Sequence, residues 1–100
     1  MAERRFSWSG AKARGNEQKH GVRFEDAVFV FGDVHRIERL DDRYAYGEER
    51  WVITGLAHGR VLVVVCTDDA DEDNTTRLIS ARRANRHERE RHYRARHRGY

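Results

Sequence analysis

Apolar residues change their spacing several times along the chain, and each change marks an element. In the opening stretch RRFSW, Phe6 and Trp8 alternate with polar neighbours, the period of a short strand. Ser9 then stands where a helix N-cap belongs, and Gly21 where a helix ends, so a helix is predicted over about Ala11 to Lys19. Gly15 weakens that helix by roughly 1 kcal/mol relative to alanine. Next, Phe24, Ala27, Val28 and Phe31 fall at i, i+3, i+4 and i+7 and share one helical face. Glu25 and Asp26 suit the first turn of that helix, which is expected from Phe24 to Phe31.

Beyond Gly32 the period shortens. HRIERL alternates, RWVITGLA is rich in β-branched and aromatic residues, RVLVVVCT is almost continuously apolar, and TRLISA is short and mixed. These read as four strands. Ala57, His58 and Gly59 make a short hairpin connection between the second and third, and Val61 to Val65, apolar on both alternating sets, reads as a central strand covered on both faces. The acidic loop DDADEDN is expected to be solvated and mobile. From Ala81 to Arg98 strong helix formers run without glycine or proline, and Glu88 to His92 and Glu90 to Arg94 are spaced for i to i+4 pairs. The expected class is α+β: a small antiparallel sheet with two N-terminal helices and a C-terminal helix, in a single domain over residues 1–100. The segment from about 86 to 100 is expected to be a charged helix that fades into a flexible tail.

Charge changes the picture, because it is unevenly placed. Residues 1–24 carry six basic and two acidic groups, residues 25–76 five and thirteen, and residues 77–100 nine and two. If the two basic ends meet in space, they form a positive face suited to a polyanion. A lone cysteine, Cys66, excludes an intramolecular disulfide and a cysteine-based zinc cluster, and fits a reducing compartment. The start of the chain lacks the apolar core of a secretory signal, and the run Val61 to Cys66 is too short to cross a bilayer. A cytoplasmic protein that does not engage the membrane is expected.

Several chemistries are disfavoured. His87 and His92 are five residues apart, about 140° around a helix, so they are badly placed to share a zinc ion. The glycines match neither a phosphate-binding loop nor a dinucleotide fingerprint, and the serines lack a nucleophile elbow. Phosphate chemistry fits better: a guanidinium is permanently charged and presents a planar fork of donors to phosphate oxygens. Arg60, Arg77, Arg82 and Arg83 lie at strand ends or at a strand-to-helix junction, and Lys19 and His20 end the first helix. Histidine there supplies a group that exchanges protons near neutrality. The contrasting reading is a non-catalytic nucleic-acid-binding module or regulatory partner protein.

Taken in order, the stretches FSWSGAKARGNEQKHGVRFEDAVFVFGD, GEERWVITG, GRVLVVVCT and RLISARRANRHERERHY resemble the BrnT family of bacterial type II toxins. The resemblance spans about residues 6 to 93. It implies a RelE-like fold and a ribonuclease that cleaves RNA and so inhibits translation. It also implies a cognate ribbon-helix-helix antitoxin that silences the toxin, in a complex that binds operator DNA, and no cofactor or metal. Carried over, Lys19 and His20 match a Lys-His-Gly motif, Arg60 the arginine before the central strand, and Arg77 and Arg82 the pair flanking Ile-Ser-Ala. These five are the expected catalytic residues, with Glu48 and Arg50 of the Gly-Glu-x-Arg element and Arg83 as further RNA contacts. Gly10 and Cys66 depart from the family pattern, and the acidic loop before Arg77 is longer than usual.

Overall fold

A computed structural model describes residues 3–41 and 47–98. The element order is β1 (Arg5–Ser7), α1 (Gly10–His20), α2 (Phe24–Ala27), a 3-10 helix (Val28–Gly32), β2 (Ile37–Asp41), β3 (Arg50–Ala57), β4 (Arg60–Asp68), β5 (Thr75–Arg83) and α3 (Arg86–Arg96). The strands form one sheet in the order β1-β5-β4-β3-β2. The sheet is mixed rather than purely antiparallel, because β1 pairs with β5 in parallel while every other pairing is antiparallel. That parallel pair is possible because a whole crossover, α1 through β4, separates the two strands in sequence.

Side chains alternate across the sheet and give it two unlike faces. Ile53, Ala57, Leu62, Val64, Cys66, Leu78 and Ala81 point to one face, where Val22, Phe24, Ala27 and Val30 from the helical layer complete the main core. Val52, Val63 and Ala84 form a smaller cluster on the other face, flanked by Val61 and Val65. Leu78 and Ala81 both face the main core although they are three residues apart. The register explains it: Val65 pairs with Ser80 and Cys66 with Leu78, so Ile79 is an extra, bulged residue.

α1 starts and stops where its caps dictate: the Ser9 hydroxyl accepts from the Lys12 N–H, and Gly21 takes the left-handed conformation with φ of 68°. The expected helix from Phe24 to Phe31 instead tightens into a 3-10 helix after Ala27. Tightening turns each residue by about 120° rather than 100°, which swings Val30 fully inward and leaves Phe29 54% exposed. Val30 meets β3 at Gly55, where an added Cβ would lie 3.0 Å from the Val30 Cβ and 3.1 Å from its carbonyl oxygen. Between β3 and β4, His58 and Gly59 have φ of 50° and 79°, the paired positive values of a two-residue hairpin turn.

Ala81 to Arg83 extend β5, so the last helix begins later than its composition suggests. Asn85 caps it with a full capping box: the Asn85 side chain accepts from the Glu88 N–H at 2.9 Å, and the Glu88 carboxylate accepts from the Asn85 N–H at 2.8 Å. The expected pairs Glu88–His92 and Glu90–Arg94 give way to others: Glu88 binds Arg82, Glu90 binds Arg86 one turn earlier, also at i to i+4 spacing, and His92 binds Asp33. Gly99 and Tyr100, the end of the expected tail, lie outside the described residues. No helix among those residues is long and apolar enough to cross a membrane.

Candidate nucleic-acid interface

On β5, the bulge at Ile79 decides where the arginines go. Arg77 pairs with Thr67 and Arg82 with Val63, so both project from the face opposite the helical layer, together with Ser80. Strict alternation would have put residues five apart on opposite faces. Across the same face, Arg50 of β3 shares the orientation of Val52. Arg39 of β2, directly opposite Val52, adds a further cation.

Carboxylates hold these guanidinium groups in place. The Thr67 hydroxyl donates to the Glu49 carbonyl at 2.6 Å, which brings the chain before β3 alongside Arg77. There the Glu48 carboxylate accepts from Arg77 Nη2 at 3.1 and 3.4 Å and from Arg50 Nε at 3.4 Å. At the other end of β5, Arg82 donates to both oxygens of Glu88 at 2.8 Å, a bidentate fork. The hydrogen bond from Arg82, opposed by partial burial and helped by the Asn85 N–H, pulls the Glu88 carboxyl down to about 2. The Arg77 and Arg82 side chains remain 39% and 41% exposed, so their charge reaches solvent while their stems are fixed.

Lys19 and His20 sit at the C-terminal end of α1. With Lys12, Gly15 and Asn16 they line a shallow groove whose opposite wall is Ile79 and Ser80 of β5. Asn16 fixes the helix to that strand: its Nδ2 donates to the Ala81 and Val22 carbonyls at 2.8 and 3.0 Å, and its Oδ1 accepts from the Ala81 N–H at 3.0 Å. The amide therefore replaces a neighbouring strand along the β5 edge that β1 leaves open. Ser80 is the link between the two groups of cations, since it walls the groove and stands two residues from Arg82 on the same face.

The other expected residues lie apart. Arg60 opens β4 opposite Ala57, and its parity with Leu62 turns it toward the helical side. Arg83, opposite Leu62, shares that side. The structure thus gathers Glu48, Arg50, Arg77 and Arg82 on one face, brings Lys19 and His20 to its β5 edge, and leaves Arg60 and Arg83 at the far rim. Arg77 and Arg82 are roughly 16 Å apart along the strand, too far to hold one phosphate. Glu88 is the residue that sequence reasoning missed as a positioning group, and the signal for it was present as Asn-x-x-Glu at the start of α3.

Cys66 contributes no nucleophile here: burial pushes its thiol up to about 12. Asp69, in the acidic loop, accepts from the Asp71 N–H and from the Ser7 hydroxyl at 2.9 Å each. Those bonds hold its carboxyl below the ordinary range.

Residues 8–88 match the family described as ribonuclease toxin, BrnT, of type II toxin-antitoxin system. No curated protein matches the chain.

Proposed function

The chain belongs to the BrnT family, ribonuclease toxins of type II toxin-antitoxin systems, and from that premise we propose that it cleaves RNA without a metal ion, in the cleft between α1 and β5. The observation that carries the reading is the meeting at Ser80 of the groove lined by Lys19 and His20 with the face that bears Arg77 and Arg82. A strand of RNA crossing the β5 edge would pass from an acid-base group to permanently charged phosphate donors.

In this mechanism the ribose 2′-hydroxyl attacks the adjacent phosphorus. A cyclic phosphate forms, and the 5′-oxygen leaves with a proton. His20 takes the proton from the attacking hydroxyl or returns one to the leaving oxygen, while Lys19 and Arg82 neutralise the charge that builds on the phosphate oxygens. Arg77 and Arg50, steadied by Glu48, hold a neighbouring phosphate. Arg60 and Arg83 grip the RNA farther along, at the rim. The mixed sheet with α1, α2 and the 3-10 helix packed on one face is consistent with a RelE-like arrangement of this chemistry. Growth arrest follows from loss of translation in the cytoplasm. A cognate antitoxin of the ribbon-helix-helix type covers the basic face, and the complex binds operator DNA.

The test is cleavage of a labelled single-stranded RNA by purified protein. His20→Ala should slow it about 10²- to 10⁴-fold, the usual contribution of general acid-base catalysis. EDTA should leave the wild-type rate unchanged, and the products should end in a cyclic phosphate. Wild-type rates from His20→Ala would remove His20 from the mechanism.

A further inference from the structure

α3 has two unlike stripes. Glu88, His92 and Ala95, at i, i+4 and i+7, face the body of the protein, and His92 is 3% exposed. Arg86, Glu90, Tyr93 and His97 form the opposite stripe, where Tyr93 is 63% exposed. The Tyr93 and His97 rings lie 4.1 Å apart between centroids with 34° between their planes. Arg91, Arg94 and Arg98 surround them and line the same shallow groove. The two carboxylates of the helix are already engaged, Glu88 with Arg82 and Glu90 with Arg86, so the charge presented around the rings is positive.

We propose that Tyr93 and His97 form a stacking platform for an unpaired RNA base, with Arg91, Arg94 and Arg98 holding the phosphates on either side. An exposed aromatic face costs solvation unless something covers it, and a flat ring framed by guanidinium groups is the recurring means of gripping single-stranded nucleic acid. An acidic peptide would use the arginines but would have no need of the ring pair. The platform lies beyond residue 88, outside the matched family segment and apart from the α1–β5 cleft. It would therefore select single-stranded substrate at a distance from the reacting phosphate. The inference rests on RNA being the substrate.

The experiment measures binding of the full chain to a fluorescent single-stranded RNA whose riboses carry 2′-O-methyl groups, which prevents cleavage. Tyr93→Ala should weaken binding about tenfold, and Tyr93→Phe, which keeps the ring, should stay within about twofold of wild type. A duplex of the same sequence should bind with no dependence on Tyr93. Wild-type affinity in a Tyr93→Ala protein with an unchanged circular dichroism spectrum overturns the platform. So does an equal loss on single strand and duplex, or the same Tyr93 dependence with polyglutamate as ligand. Cleavage of ordinary RNA, assayed alongside, separates the two readings. Tyr93-dependent binding without cleavage supports the platform and removes the ribonuclease mechanism, whereas cleavage with Tyr93-independent binding does the reverse.

Discussion

Asp33 and His92 meet at 2.7 Å between Oδ2 and Nε2, and the contact fastens the last helix to the turn that follows the 3-10 helix. Asp33 also accepts from the Leu56 N–H and the His35 N–H, each at 2.8 Å. Burial alone would raise the Asp33 carboxyl, but these two backbone donors and His92 outweigh it and hold it below its ordinary 3.8.

His92→Ala should therefore lower the free energy of unfolding by about 2 kcal/mol, below the full cost of breaking a buried pair because two backbone donors remain to Asp33. Urea denaturation at neutral pH reads this directly. The pH dependence has a definite sign. A depressed carboxyl stabilises the fold above its unfolded value of 3.8 and loses that contribution as pH falls through the folded value. Asp33→Asn should be less stable than wild type at neutral pH, with the difference shrinking in acid; a constant difference would contradict the assignment.

Glu88 serves two groups at once, the Arg82 guanidinium and the Asn85 N–H at the start of α3. Glu88→Ala should cost about 1–2 kcal/mol through the lost cap and the lost fork. It should also slow RNA cleavage by removing the fork that orients Arg82. The wild-type contribution is present above pH 4.5 and is lost toward pH 2, as the carboxylate takes up its proton. Thermal unfolding from pH 7 to pH 2 should show the Glu88→Ala deficit closing across that interval.

Replacing Asn16 by alanine removes three hydrogen bonds and leaves both polar groups of Ala81 without their partner on α1. A loss of about 2–3 kcal/mol is expected. The uncovered β5 edge should also promote self-association, visible as concentration-dependent sedimentation. Unchanged stability in Asn16→Ala would mean that water satisfies the strand as well as the amide does.

Gly55→Ala tests the close approach of the 3-10 helix to β3. The new methyl would meet Val30 at 3.0 Å and the Arg36 Cβ at 3.3 Å, so the helix must retreat. Destabilisation of about 1–3 kcal/mol is expected from such overpacking, measured by thermal melting.

Much of the fold was legible because it is local. Ser9 and Gly21 bracket α1, the two-residue turn at His58 and Gly59 joins β3 to β4, and the run beginning at Val61 becomes the central strand. What escaped depends on contacts far apart in sequence. The parallel pairing of β1 with β5 needs partners about seventy residues away, and nothing in RRFSW states its direction. The 3-10 tightening at Val28 answers to Gly55, not to its own helical period. The candidate site divides in the same way. Arginine types and positions could be read directly, but their grouping could not: Arg60 and Arg83 look equivalent to Arg77 and Arg82 until strand parity separates them.

One residue of chain length is part of the chemistry of β5. Deleting Ile79 would leave Arg77 and Arg82 four residues apart and on the same face of an even pleat, whereas flattening the bulge at the present length would turn one of the two into the apolar layer. The site is thus encoded partly by counting, in the parity of the interval between two arginines. A substitution scan that preserves length would never touch that property.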